Sequence, residues 1–131
     1  MSILTPIDGT DRGLAALDVA AGLAERLDAD LDIVNVTDER SEENWRLLDA
    51  ARELLSEYDI DAEPRILIEE DAEGAGISVA VGERLVELLE ANDYEFVVMG
   101  QHDEQGTVER VLVGSASGVV LDEAETPVML V

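Results

Sequence analysis

Short apolar runs without polar alternation recur along the chain, and each is followed by a stretch with helical spacing. Ile33-Val34 and Val97-Val98-Met99 are two such runs, and strands of this kind are buried on both faces. Strands that alternate with helices form a mostly parallel sheet covered by helices on both sides. The sequence therefore predicts an α/β fold with three layers, α/β/α, built as one domain over residues 1–131.

The element boundaries follow from the two hydrophobic periods and from the capping and turn residues between them. Strands are expected at Ser2–Ile7, Leu31–Val36, Pro64–Ile68, Glu95–Met99 and Pro127–Val131. Helices are expected at Arg12–Leu27, after a cap within Asp38–Ser41, at Val79–Ala91 and at Gly114–Ala124. The second helix should bury a face that contains Trp45, Leu48 and Leu55. The segments Glu69–Ser78 and Gly100–Val113 are predicted to be loops.

The charge balance is extreme, with 32 acidic residues against 8 basic ones, all of them Arg. The acids are evenly spread, which indicates a uniformly acidic surface rather than an acidic tail. Such a surface repels itself at ordinary ionic strength, whereas near molar salt the screening length is only ~3 Å. We therefore expect a halophilic protein from a salt-filled cytoplasm. It should lose its circular dichroism signal on desalting, and an unchanged spectrum would contradict this expectation.

Composition also excludes several classes of protein. Sequence-independent binding of nucleic acid and of anionic membranes needs clustered basic residues, which the chain lacks. There is no cysteine, so disulfides and thiolate chemistry are excluded. The start MSILTPIDGT does not resemble a signal peptide, and no apolar run approaches the ~20 residues of a membrane span. We therefore expect a cytoplasmic protein. Its core should be aliphatic, because only four residues are aromatic.

Two segments carry the residue types expected of a ligand site. In an open parallel sheet, ligands bind at the carboxyl ends of the strands, where the strand order reverses. Pro6-Ile7-Asp8-Gly9 leaves the first strand with a carboxylate at its tip. Met99-Gly100 leaves the fourth strand and leads, through a polar loop, to Gly114-Ser115 at a predicted helix start.

The helix start is suited to a phosphate, because its free N–H groups and dipole attract anions. Gly114 lets an anion approach the backbone without a Cβ in the way, and Ser115 and Ser117 add hydroxyl donors. The same residues also suit a simpler role, in which Ser115 only caps the helix and Gly114 only turns the chain. Spacing alone leaves both interpretations open.

Several motifs, in the right order, resemble the universal stress protein family. ILTPIDGTDRGLAALDVAAGLAE resembles its opening strand and helix, and DIVNV resembles its second strand. FVVMG, followed by a loop and GSASGVVLDEAETPVMLV, resembles its fourth strand, phosphate loop and last strand. The resemblance implies the adenine nucleotide alpha hydrolase-like fold with strand order 3-2-1-4-5. It also implies a stress-response protein that binds ATP or AMP, with Mg²⁺ in the case of ATP.

The resemblance assigns roles by position. Pro6 and Asp8 would lie beside adenine and ribose, and Val36 would offer its backbone to the adenine edge. Met99 and Gly100 would line the ribose side of the site. The phosphates would meet the backbone N–H groups of three consecutive residues, Gly114, Ser115 and Ala116.

The loop departs from the family pattern of Gly, two residues, Gly, nine residues, Gly, then Ser or Thr. Counting from Gly100, the second glycine is replaced by Asp103, and ten residues, Glu104–Val113, precede Gly114. Asp103 places a negative charge near the expected phosphates, and two unit charges ~4 Å apart repel by roughly 1 kcal/mol even in water. A divalent cation or concentrated salt would offset this repulsion.

Other candidates for chemistry have simpler explanations. His102 is expected to be a solvated loop residue, with phosphate contact as the alternative. Arg110 can reach a phosphate or pair with Glu109 or Asp103. The remaining acidic clusters fit either solvated surface or divalent-cation binding, and solvated surface is the expected role for Glu42-Glu43, Glu69-Glu70-Asp71 and Asp122-Glu123.

Three functions are left to compare. The first is nucleotide binding with slow turnover at most, because no general base or lysine clamp is evident and no P-loop can form without Lys. The second is a dimeric stress adaptor that binds no nucleotide, and the third is a dedicated hydrolase. The final strand would leave a sheet edge exposed, so we expect a homodimer through Thr126–Val131.

Overall fold

The structure is a computed structural model that describes residues 1–38, 40–69, 77–100 and 116–131. Its strands are β1 (Ser2–Pro6), β2 (Asp30–Thr37), β3 (Arg65–Ile68), β4 (Phe96–Met99) and β5 (Val128–Leu130). Its helices are α1 (Asp11–Leu27), α2 (Glu42–Leu55), α3 (Ile77–Ala91) and α4 (Ala116–Glu123). Each predicted element is present at its expected place. None of these helices is long and apolar enough to cross a membrane.

The five strands form one sheet in the order β3-β2-β1-β4-β5. This confirms the predicted order, and all four strand pairs are parallel. β1 lies at the centre, with its register running from Ser2 opposite Asp30 to Pro6 opposite Val34. The buried side chain of Thr5 donates its hydroxyl to the carbonyl of Val98 at 2.6 Å, which adds a bond between the two central strands.

The core lies in two layers, one on each face of the sheet. Alternate residues of β2 supply both layers, because successive side chains of a strand point to opposite faces. Ile33 packs with α1 and α2, whereas Val34 and Val36 pack with α3 and α4. The fully buried members are aliphatic, as predicted, and the tyrosines and Phe96 lie only at the margins of the two layers.

The starts of α1 and α2 follow local capping rules, whereas α3 starts earlier than predicted. Thr10 caps α1 by accepting the N–H of Gly13, and Ser41 caps α2 within a capping box, as expected for the Asp38–Ser41 segment. The prediction that Glu69–Ser78 is a loop is wrong at its end, because α3 begins at Ile77. The helix thus includes Ile77 and Ser78, two residues before its predicted start at Val79.

The buried face of α2 also differs from the prediction. Leu48 and Leu55 are buried as expected, but Trp45 is 47% exposed, and Leu47 is buried. With 3.6 residues per turn, Trp45 lies about 100° from the middle of the stripe that Leu47, Leu48, Ala51 and Leu55 form. Because Leu47 is buried in the core, Trp45 faces solvent.

Candidate functional site

The strand order reverses between β1 and β4, at the centre of the sheet. The chain leaves β1 toward β2 on one side and leaves β4 toward β5 on the other. The carboxyl ends of these two strands therefore flank a crevice, which is where open α/β sheets bind ligands. Asp8 comes two residues after the end of β1, and Gly100 comes directly after β4.

Asp8 is exposed at the tip of β1 and is held in place by the start of α1. Its Oδ1 accepts hydrogen bonds from the backbone N–H of Thr10 at 3.0 Å and from the Thr10 hydroxyl at 2.6 Å. The same hydroxyl accepts the N–H of Gly13 at 3.0 Å, so carboxylate, cap and helix form one hydrogen-bonded unit. The carboxylate is thereby pre-oriented at the crevice without a basic side chain in these bonds.

The first turn of α1 packs closely against both strand tips. A Cβ on Gly100 would lie 2.7 Å from the carbonyl carbon and 2.8 Å from the carbonyl oxygen of Arg12. A Cβ on Gly13 would lie 2.7 Å from the Asp8 carboxylate oxygen Oδ1. The contacts of Gly100 are with backbone atoms, so a side chain there would force the start of α1 to move, whereas a side chain at Gly13 would have to displace the Asp8 carboxylate.

The backbone of β2 reaches the same crevice. Ile7 donates its N–H to the carbonyl of Val34 at 2.8 Å, so that carbonyl points toward β1. Peptide groups alternate in direction along a strand, and Val36 therefore directs its own backbone to the same side, where β1 has already ended. The Val36 side chain is buried among the residues that pack against α3 and α4.

Some of the predicted site residues that the structure describes lie at the crevice, and others are buried. Asp8 and Gly100 meet at the crevice, and Pro6 is buried at the end of β1 beside Val34. Met99 is 4% exposed and its carbonyl accepts the N–H of Val131 at 3.0 Å, so its side chain belongs to the core. Asp103, Gly114 and Ser115, with His102 and Arg110, lie outside the described residues. Ala116 is the first residue of α4.

Two asparagines near the crevice were missed by sequence reasoning. Asn35 is only 4% exposed, and its Nδ2 donates to the carbonyl of Ile7 at 2.8 Å. Its Oδ1 accepts from the Nδ2 of Asn44 at 2.8 Å, and the Oδ1 of Asn44 accepts the Ser41 N–H at 3.1 Å. A single amide inside the apolar strand DIVNV was the signal that could have revealed this arrangement, because a buried amide requires partners.

A second polar cluster lies on the opposite side of the sheet, where the strands begin. We call this side the amino-terminal edge and the side where the strands end the carboxyl-terminal edge. Arg65 donates to both carboxylate oxygens of Asp32, at 3.1 and 2.9 Å, and the hydroxyl of Tyr94 donates to the same carboxylate. An open cavity of about 360 Å³ lies beside it, lined by Ser2, Asp30, Leu31, Asp32, Asn92, Asp93 and Tyr94. Its central carboxylate is already paired within the protein, with Arg65 and Tyr94.

The cluster shifts the pKa values of its members. Partial burial alone would raise the pKa of Asp32, but hydrogen bonds from Arg65 and Tyr94 and the charge of Arg65 outweigh burial and lower it. Burial, followed by the hydrogen bond to Asp32, raises the pKa of Tyr94 to about 12. Across the described part of the chain, no group of three or more acidic or histidine side chains is arranged to hold a metal ion.

Comparison with known proteins identifies the family. The profile described as "Universal stress protein family" matches residues 1–131. The chain belongs to the universal stress protein family. The universal stress protein MJ0531 of Methanocaldococcus jannaschii is 29% identical, and the match covers 98% of this chain and 80% of that protein.

Solved universal stress proteins share the fold. A universal stress protein crystallised in complex with cAMP has a TM-score of 0.77 at 22% identity, and the match covers 100% of this chain and 96% of that one. The universal stress protein of Archaeoglobus fulgidus in complex with dAMP has a TM-score of 0.73 at 18% identity, covering 99% and 96%. The adenine nucleotide alpha hydrolase-like fold expected from the sequence is thereby confirmed.

Proposed function

We propose that this universal stress protein binds an adenine nucleotide in the crevice between the carboxyl ends of β1 and β4. The observation that carries the proposal is the Asp8 carboxylate, which Thr10 holds at the reversal of strand order, with Gly100 packed against the same first turn of α1. A carboxylate whose orientation is set by the protein can accept hydrogen bonds from ribose hydroxyls. The nucleotides cAMP and dAMP in the structures of two relatives support the same ligand class.

The described residues suggest how the nucleoside would lie. Adenine would occupy the space beyond the end of β1, where it can bond the backbone of Val36 and contact Pro6. The ribose would lie between Asp8 and the backbone of Met99 and Gly100. This arrangement uses neutral backbone groups for the base and one carboxylate for the sugar, a division that suits an uncharged nucleoside.

The phosphates would be bound at the start of α4, through the backbone N–H groups of Gly114, Ser115 and Ala116. The carboxylate of Asp103 is expected to oppose each added phosphate charge. We therefore propose that AMP binds without a metal and that ATP needs Mg²⁺ to offset the repulsion. The protein would act by binding, with ATP hydrolysis slow at most.

Calorimetric titration with AMP, ADP and ATP, with and without Mg²⁺ in molar KCl, tests this proposal. We expect micromolar binding of AMP, which Gly114→Val abolishes, because a branched side chain would cover the phosphate N–H groups. Asp103→Gly should strengthen ATP binding more than AMP binding. Absence of heat with all three nucleotides in the folded protein would contradict the proposal and favour a nucleotide-free adaptor.

We also propose that the protein is a homodimer, as either function would require. β5 lies at the edge of the sheet, and Val97 and Val131 donate their backbone N–H groups within the β4–β5 pair. The peptides of Val128 and Leu130 therefore face the free edge. Met129 on β5 and Leu121 on α4 are also 42% and 43% exposed. Pairing of Thr126–Val131 with a second copy would cover this edge.

Light scattering in molar KCl tests the dimer. Met129→Glu should produce a monomer, because it places a charge in the paired surface. Leu27→Glu is the matched control, since Leu27 is 46% exposed but lies at the end of α1, on another part of the surface. A monomeric wild-type protein, or equal dissociation in both variants, would contradict the proposed interface.

A further inference from the structure

Asn35 is buried in a strand whose other inward-facing residues are apolar. A buried amide is unfavourable unless its donor and acceptor are both bonded, and here both are. Its Nδ2 donates to the carbonyl of Ile7, and its Oδ1 accepts from Asn44. The Oδ1 of Asn44 is bound in turn by the N–H and the hydroxyl of Ser41, at 3.1 and 2.6 Å. The amides thus form a relay with one direction, from Ser41 through Asn44 and Asn35 to Ile7.

The end of this relay lies at the crevice. The Ile7 carbonyl belongs to the peptide that joins Ile7 to Asp8, and a peptide group is planar. Fixing this carbonyl therefore fixes the direction in which Asp8 leaves β1. Asp8 then bonds Thr10 through its Oδ1, so the relay and the α1 cap hold the same residue from its two sides.

The relay also joins the two strand ends that would hold the nucleoside. Asn35 directly precedes Val36, whose backbone faces the space beyond β1. Its hydrogen bond to Ile7 therefore fixes the separation between β2 and the tip of β1 at this level. The other end of the relay is the cap of α2, so the position of that helix start depends on the same bonds.

We propose that Asn35 and Asn44 are positioning residues of the nucleotide site, which set the peptide before Asp8 and couple the nucleoside pocket to the start of α2. This inference rests on the proposed nucleotide function. Neither side chain needs to touch the ligand. Loss of the relay should weaken the binding of the nucleoside part equally in adenosine, AMP and ATP, because it leaves the phosphate-binding segment unchanged.

The sharpest variant is Asn44→Asp, which retains an oxygen for Ser41 but loses the amide group that donates to Asn35. Asn35→Asp removes the other donor and places an oxygen against the Ile7 carbonyl. The matched control is Asn92→Asp, because Asn92 also donates its Nδ2 to a backbone carbonyl, that of Leu88 at 3.0 Å. Asn92 lies at the opposite edge of the sheet, and all three variants add the same charge.

Adenosine is the preferred probe, since its lack of charge removes any repulsion between the new carboxylate and a phosphate. We expect Asn44→Asp to bind adenosine about tenfold more weakly than wild type, and Asn35→Asp more weakly still. Asn92→Asp should bind as wild type does. If wild type binds adenosine and Asn44→Asp binds it equally well, the positioning role is overturned.

Amide hydrogen exchange in the nucleotide-free protein separates this inference from the proposed function. If the relay orients Asp8, Asn44→Asp should speed exchange at Thr10 and Gly13, whose N–H groups depend on the Asp8–Thr10 unit, while Asn92→Asp should not. If the wild-type protein binds no nucleotide but Asn44→Asp still exchanges faster at Thr10 and Gly13, the relay is supported and the nucleotide function is refuted. Unchanged exchange at both residues would overturn the relay.

Discussion

The two edges of the sheet are held together in different ways. At the amino-terminal edge, a carboxylate, a guanidinium and a phenol satisfy one another, with Asp32 bound by Arg65 and Tyr94. At the carboxyl-terminal edge, the contacts recorded between the described residues are close backbone approaches and neutral amides, and the carboxylate of Asp8 accepts two hydrogen bonds from Thr10.

The difference supports the proposed placement of the nucleotide at the carboxyl-terminal edge. A charge that is already neutralised gains little from a new partner, because it would have to give up an existing one. The direction of the Asp8 carboxylate is fixed by its hydrogen bonds from Thr10, and this pre-orientation favours hydrogen bonds from an external hydroxyl. The amino-terminal cluster is thus structural, although a cavity lies beside it.

The largest expected effect concerns the close approach at the carboxyl edge. Gly100→Ala would bring a Cβ within 2.9 Å of three backbone atoms of Arg12 and Gly13, which cannot move independently of α1. We expect a loss of about 2–3 kcal/mol in the free energy of unfolding, measured by denaturant titration in molar KCl.

Gly22→Ala is the control for this substitution. A Cβ at Gly22 would lie 3.8 Å from the ring of Tyr58, an ordinary contact, within the middle of α1. Alanine should therefore stabilise the protein, by about 0.5–1 kcal/mol. If Gly100→Ala were as stable as Gly22→Ala, the carboxyl edge would not depend on close packing.

The second prediction concerns the charged edge. Asp32→Asn removes the partner of Arg65, and we expect a loss of about 1 kcal/mol. The estimate is kept small because the side chains of Asp32 and Arg65 are 26% and 46% exposed, so solvent screens the pair. Affinity for AMP should not change. Asp93→Asn, with the same change of charge at an exposed position of that edge, should leave both quantities unaltered.

A weaker AMP affinity in Asp32→Asn, at unchanged stability, would contradict the division between the edges. It would mean that charge at the amino-terminal edge is felt at the crevice. The measurement in molar KCl is the stringent one, because only short-range coupling survives such screening.

Most of the fold was predictable from the sequence because its signals are local. Apolar runs such as Val97-Val98-Met99 require burial on both faces. The residues that cap α1 and α2 stand directly before the helices that they cap. The errors arose where a choice depends on packing. Trp45 fits a helical stripe by spacing, but Leu47 shifts the stripe, and only the facing helix decides between the two.

The candidate site was predictable only in part, for a related reason. Asp8 and Gly100 follow strands whose ends must meet in a parallel sheet, so their proximity follows from topology. The bonds of Asn35 and Asp32 join residues that are distant in the sequence, and nothing local specifies them. Sequence reasoning gave the phosphate-binding role to Gly114, Ser115 and Ala116 and placed the opposing charge of Asp103 near the phosphates. Because Asp103, Gly114 and Ser115 lie outside the described residues, that role remains a prediction.

The third prediction concerns how the contribution of Asp32 to stability changes at acidic pH. The pKa of Asp32 is lower in the folded protein than its ordinary value of 3.8, so its stabilising contribution is present above that value. It is lost as the pH falls below 3.8 and through the folded pKa, because the unfolded state then binds the proton more readily. Asp32→Asn should therefore lose less stability than wild type across this range in acid denaturation, whereas Asp93→Asn should follow the wild-type curve.

The smallest expected effect appears at alkaline pH and involves Tyr94. Its pKa of about 12 lies above the ordinary value of 10.0, so the neutral phenol stabilises the fold below pH 10 and this contribution is lost as the pH rises toward 12. Tyr58→Phe leaves Tyr94 as the only tyrosine, and its phenolate absorbance should rise near pH 12. Adding Asp32→Asn should lower that midpoint, since it removes the acceptor of the phenol and the adjacent negative charge. Burial, the larger cause, remains in the variant, so the midpoint should stay above 10.0. A midpoint that does not move would show that Asp32 does not contribute to the raised pKa of Tyr94, and would contradict the coupling of these two side chains at the amino-terminal edge.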